Sequence, residues 1–156
     1  MKLYVVRHAD AAGGPVDAER PLSEMGVRDV QRMAAFLSRS DCKVARVIHS
    51  GRVRALESAT LLAQVVNSGG VVEEASGGLG PDDSPRGVAE AATGWKEDVM
   101  LVSHQPFVSR LISLLSATDE SAGVVDMPTG SVACLERNQD SNWSLQWLAT
   151  PALLGQ

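Results

Sequence analysis

The run Lys2-Leu-Tyr-Val-Val6 is short, apolar and β-branched, and it stops at the charged Arg7. That is the pattern of a strand buried on both faces of a parallel sheet. Residues 9–22 contain Gly13-Gly14-Pro15 and several charges without usable periodicity, and they read as a loop at the carboxyl end of that strand. Ser23 is placed to cap a helix in which Val30, Met33, Ala34 and Leu37 form one apolar stripe at i, i+3, i+4 and i+7. Residues Ala45 to His49 read as a second strand. Ser50-Gly51 then leads into a helix with Arg54 in its first turn and an expected inward face of Val53, Leu56, Thr60 and Ala63.

A third strand is expected near Val71 to Ala75, followed by a Gly/Pro/Asp-rich loop and a short helix started by Ser84-Pro85. Asp98-Val-Met-Leu-Val102 reads as a fourth strand with His104 just after it, and Pro106 opens a helix with Val108, Leu111, Ile112 and Leu115 inward. Ser131 to Glu136 and Trp143 to Ala149 flank a polar turn, which predicts a closing hairpin with Trp143, Leu145 and Trp147 alternating on one face. The succession βαβαβαβα plus hairpin predicts an α/β protein: a three-layer α/β/α sandwich with a mostly parallel mixed sheet and a C-terminal antiparallel hairpin. At 156 residues, with no linker or internal repeat, a single domain over 1–156 is expected.

Composition narrows the function classes. Hydrophobic residues make up 44% and charged residues 21%, with a formal net charge of -5. Such a chain has no general attraction for nucleic acid, so an anion it binds must be drawn by a local basic cluster. The N-terminal apolar run is too short for a signal segment or a membrane span, so a cytoplasmic location with no membrane partner is expected. Cys42 and Cys134 lack CxxC spacing and are expected to be free, buried thiols.

The candidate chemistry lies at strand ends. Ligands of open α/β sheets bind beyond the carboxyl ends of the strands, where both Arg7-His8 and His104 fall. An arginine beside a candidate nucleophile is informative because its forked donors match the oxygens of a phosphoryl group, which a lysine cannot do. A neutral imidazole is a competent nucleophile when an acceptor holds its other N–H.

The residues Arg7-His8-Ala9-Asp10-Ala11 after an N-terminal strand resemble the RHG motif of the histidine phosphatase (phosphoglycerate mutase-like) superfamily. Arg20-Pro21-Leu22-Ser23 with Gly26 resembles the "RPL[ST]..G" segment of its small SixA-type phosphohistidine phosphatase branch. Ser50-Gly-Arg-Val-Arg54-Ala55 resembles "SP..RA.QT", and Val102-Ser-His104-Gln105-Pro106 resembles "[VI]SH.P"; Thr129 to Ala133 also has its counterpart. The likeness runs in order over nearly the whole chain. It implies His8 as nucleophile, Arg7, Arg54 and His104 around the phosphate, and Arg20 as a further phosphate-side arginine. The Gln105 backbone N–H, at the start of the helix after Pro106, is a candidate substrate donor.

Ala9, Gly51, Glu57 and Ser58 stand where the motifs carry glycine, proline, glutamine and threonine, and a positive φ at Ala9 would be strained by its Cβ. The mutase branch supplies a carboxylate acid from mid-chain. Glu73, Glu74, Asp82 and Asp83 occupy that stretch, but none is a clear equivalent. Loss of the acid matters most for a poor leaving group and least for imidazole, which favours phosphohistidine as substrate.

The expected function is therefore a phosphatase that needs no metal or cofactor and dephosphorylates a phosphorylated protein, such as a histidine phosphotransfer domain. A phosphatase for small phosphate esters, an inactive phosphate- or phosphoprotein-binding module and a metalloenzyme are the alternatives. The histidines lack HxH or HxxxH spacing, so His49 is read as a structural residue at a strand end. Asp10 is expected to cap a turn or orient an arginine. Arg52 and Arg110 are expected to be solvated helix residues, and Trp143 and Trp147 to serve packing.

Overall fold

The computed structural model describes residues 1–155. Its elements, in chain order, are β1 (Lys2–Arg7), α1 (Glu24–Ser38), β2 (Arg46–His49), α2 (Val53–Val66), β3 (Glu73–Glu74), α3 (Arg86–Ala92), β4 (Val99–Ser103), α4 (Phe107–Ala117), β5 (Val132–Arg137) and β6 (Trp143–Ala149). Short 3-10 turns cover Asp17–Glu19 and Pro151–Leu154.

The strands form one sheet in the order β3-β2-β4-β1-β5-β6. β1, β2, β3 and β4 run parallel; β5 pairs antiparallel with β1, and β6 pairs antiparallel with β5 at the sheet edge. Tyr4, Val6, Met100 and Val102 point to one face, where α1 and α2 bring Val30, Met33, Leu37 and Leu62. Leu3, Val5 and Leu101 point to the other, under Phe107, Leu111 and Ile112 of α4. This is the expected three-layer sandwich.

The connections leaving β1 and β4, two adjacent parallel strands, go to opposite faces. A crevice therefore opens beyond their carboxyl ends. Pairing of Arg7 with Ser103 in the β1–β4 register places the next residues, His8 and His104, side by side at that crevice.

Three local expectations are corrected. The buried residues of α2 are Arg54, Ala55, Ser58, Ala59, Leu62, Ala63 and Val66, whereas Leu56 and Thr60 face outward. Alanines at 55, 59 and 63 allow the helix backbone to pack closely, so steric fit outweighs the greater hydrophobicity of Leu56. The third strand is reduced to Glu73–Glu74 on the sheet edge.

The hairpin forms as expected, but its register shifts between Cys134 and Leu135: Cys134 pairs with Trp147, and Leu135 with Leu145. The extra residue, Gln146, is a bulge that reverses the alternation. Trp147 consequently packs on the α1 side near Phe36 and Tyr4, while Trp143 and Leu145 pack on the α4 side. All of these large residues serve packing, on two faces instead of one.

Candidate active site

His8 and His104 lie with ring centroids 4.9 Å apart and planes inclined at 53°. Backbone bonds clamp the start of this arrangement: the His8 N–H donates to the Ser103 carbonyl at 3.0 Å, and the Gly130 N–H reaches the Arg7 and His8 carbonyls at 3.1 Å. His8 is buried, and its Nδ1 lies 2.7 Å from the Ala9 carbonyl oxygen. A carbonyl only accepts, so Nδ1 carries the proton and Nε2 keeps its lone pair. Burial, followed by the charges of Arg54, Arg7 and Arg20, pushes the His8 pKa down to about 4, against the opposing effect of the Ala9 carbonyl. The ring is neutral at pH 7.

Ala9 does not have a positive φ; among the described residues only Thr118 and Ser141 do so without being glycine. Its methyl is buried in the core, so this departure from the motif is accommodated. The Ala9 N–H donates to Ser58 Oγ at 3.1 Å, and Ser58 in turn donates to the Arg54 carbonyl at 2.8 Å. Ser58, standing where the motif has threonine, thus ties the residue after His8 to the first turn of α2.

Arg7 ends β1 and donates to the Met127 carbonyl at 2.8 Å, while its Nε is buried without a partner. Arg54 is almost fully buried at the start of α2. It donates to the Asp17 carbonyl at 2.8 Å and to the Asp17 carboxylate at 3.1 Å. The same carboxylate receives Arg52 at 2.6 Å and Arg20 at 3.0 Å, and Arg20 also donates to the Ala12 carbonyl at 2.9 Å. Hydrogen bonds from Arg54 and Arg20 hold the Asp17 carboxyl below its usual range.

Arg52 therefore belongs to this cluster, contrary to the expectation of a solvated side chain. Arg110 is not free either, because it pairs with Glu120. Arg20 and Asp17 are three residues apart, but the gathering of three arginines on Asp17 requires the loop to fold back over α2.

That loop is held at its base. The Ala12 N–H donates to the Pro21 carbonyl at 2.8 Å, and the Leu22 N–H donates to the Glu57 carboxylate at 2.7 Å. Asp10 takes the turn role: its carboxylate accepts from Ser23 Oγ at 2.6 Å, and Ser23 Oγ accepts from the Gly26 N–H at 3.0 Å as the cap of α1. Gly26 is required here, since a Cβ at that position would lie 2.1 Å from the Asp10 carbonyl oxygen.

His104 is buried and faces Ser50, with Nε2 and Oγ 2.6 Å apart, while its Nδ1 has no partner. Burial, then the neighbouring His8 and Arg54, pushes its pKa down to about 3. The Gln105 side chain turns back along α4 and donates to Ser109 Oγ at 2.6 Å, leaving the backbone N–H as its candidate ligand donor. His49 has the expected structural role, with its Nδ1 accepting from the Gly51 N–H at 3.1 Å.

Glu73 pairs with Arg46, the Asp83 carboxylate accepts from the Gly80 N–H at 2.7 Å, and the Glu74 carboxylate lies against Gly51. No mid-chain carboxylate among the described residues hydrogen-bonds to His8 or His104. Among the described residues there is also no group of three His, Cys, Asp or Glu side chains able to hold a metal ion, and no helix long and apolar enough to cross a membrane.

No family model matches the chain. It is 23% identical to the phosphohistidine phosphatase SixA of Escherichia coli strain K12, over 99% of this chain and 96% of that protein. The protein histidine phosphatase SixA solved in complex with tungstate superposes with a TM-score of 0.86 at 24% identity, covering 99% of each chain. An alpha-ribazole phosphatase from Shigella flexneri superposes with a TM-score of 0.70 at 16% identity, covering 97% of each chain. Motif order agrees with these likenesses: the chain has the fold of the SixA structure and is similar in sequence, over nearly its whole length, to the phosphohistidine phosphatase SixA.

Proposed function

We propose that the chain removes phosphoryl groups from phosphohistidine on a partner protein, without a metal or cofactor and in a reducing, cytoplasmic setting. His8 is the nucleophile. The observation that carries this reading is the 2.7 Å contact between His8 Nδ1 and the Ala9 carbonyl, which leaves a neutral Nε2 lone pair in a crevice rich in arginine.

In the first step Nε2 of His8 bonds to phosphorus as the substrate's P–N bond breaks, and the departing imidazole takes a proton from solvent. In the second, water attacks the phosphorus of phospho-His8, the P–Nε2 bond breaks, and inorganic phosphate leaves with the water oxygen. Arg7, Arg54, His104 and, toward the mouth, Arg20 stabilise charge on the equatorial oxygens, the main task a protein performs in phosphoryl transfer. Among the described residues no mid-chain carboxylate hydrogen-bonds to His8 or His104, which favours a leaving group that needs no acid bound in the site. That the similar SixA was solved in complex with tungstate, an oxyanion, is in keeping with a phosphoryl-binding role.

The test compares phosphate release from a phosphohistidine protein, a phosphoserine peptide and small phosphate esters, with wild type and His8→Ala. The expected result is preference for phosphohistidine, an acid-labile phosphoenzyme, and loss of both in the variant. Full activity of His8→Ala would remove His8 as nucleophile, and preference for small esters would overturn the substrate assignment.

A further inference from the structure

We propose that Ser50 is a positioning residue that sets the tautomer of His104, so that Nδ1–H points at the phosphoryl group. The inference rests on the reading of the site as a phosphoryl pocket. It starts from an asymmetry in the His104 ring: Nε2 is 2.6 Å from Ser50 Oγ, whereas Nδ1 is buried with no partner.

Ser50 follows β2 and His104 follows β4, and the two strands are neighbours in the sheet, so this contact is built by the parallel register and is not a chance meeting of mobile side chains. The direction of the hydrogen bond follows from the donors and acceptors around it. Ser50 Oγ accepts a long bond from the Arg52 N–H at 3.4 Å. Among the described residues its hydroxyl proton has no acceptor other than His104 Nε2. The chain therefore runs Arg52 N–H to Ser50 Oγ–H to His104 Nε2. With Nε2 accepting, a neutral ring must carry its proton on Nδ1.

Neutrality is supported by burial and by the surrounding positive charge, which push the His104 pKa down to about 3. The His104 ring lies 4.9 Å from the His8 ring between centroids, and an Nδ1–H donor is the polarity a phosphoryl oxygen on His8 needs; the other tautomer would present a lone pair to an anion. A buried N–H left without a partner in the free protein is also the kind of group a ligand satisfies.

Two-bond 15N–1H correlation of the His104 ring at pH 7 tests this directly, in wild type, Ser50→Ala and Ser50→Thr. Wild type and Ser50→Thr are expected to show Nδ1–H, and Ser50→Ala a shift to Nε2–H or to a mixture. With the phosphohistidine protein as substrate, Ser50→Ala should lose roughly tenfold in kcat with KM changed less than about twofold, and Ser50→Thr should restore most of it. A wild-type ring protonated on Nε2, or a tautomer unchanged in Ser50→Ala, overturns the inference. Failure of wild type to release phosphate while its ring still shows Nδ1–H would instead overturn the functional reading and leave the tautomer assignment standing.

Discussion

Arg54 and Asp17 meet twice, through the carbonyl at 2.8 Å and the carboxylate at 3.1 Å, although Arg54 is buried in α2 and Asp17 sits on an exposed loop turn. Because Arg20 and Arg52 share that carboxylate, one negative charge holds three mutually repelling guanidiniums together. Asp17→Ala is expected to let the arginines spread and to raise KM for the phosphorylated substrate about fivefold, with a smaller change in kcat. Steady-state kinetics at two salt concentrations would check this. An unchanged or lower KM would mean that Asp17 competes with substrate and does not organise its site.

Gly26 is where α1 meets the backbone of Asp10, two residues after His8, the proposed nucleophile. Gly26→Ala would place a Cβ 2.1 Å from the Asp10 carbonyl oxygen, which neither backbone can accommodate in place. The expected outcome is a loss of about 2 kcal/mol in denaturant unfolding, accompanied by reduced kcat/KM because the 9–22 loop shifts. A variant as stable as wild type would show that the helix and loop separate easily.

The alanine that replaces the motif glycine should now be part of the packing. Ala9→Gly removes a fully buried methyl and adds backbone freedom, so unfolding by urea should register a loss of about 1 to 2 kcal/mol. Activity per folded molecule should be retained. A stabilised variant would indicate strain at Ala9 that its backbone angle does not display.

Acidification should destabilise the fold through His8 and His104, whose pKa values fall from 6.5 to about 4 and about 3. The unfolded chain binds these protons more tightly than the folded one. The stability of the neutral rings is therefore complete above pH 6.5 and declines as pH falls through the interval toward 4, by roughly 1.4 kcal/mol per pH unit for each histidine. Denaturant titrations at pH 7.5, 6 and 5, alongside ring NMR, would measure it. Rings titrating near 6.5 in the folded protein would contradict the electrostatic description.

Sequence alone carried the layer order of the fold and the residues at the strand ends. A β-branched run stopped by Arg7-His8 and a second run stopped by Ser103-His104 are local patterns, and local patterns reveal which residues can end up at one edge of a sheet. The caps and proline starts were legible for the same reason, since a cap involves neighbours within one helical turn. Only the tertiary structure decided what depends on contacts between distant segments. The bulge at Gln146 sent Trp147 and Leu145 to opposite faces, and close packing turned the alanines of α2 inward in place of Leu56. Folding of the 9–22 loop over α2 joined Asp17 to Arg52 and Arg54, and the β2–β4 register set Ser50 against His104. The strand-end histidines were written in the chain, but the partner of His104, Ser50, is 54 positions away, and periodicity and spacing do not encode such a contact.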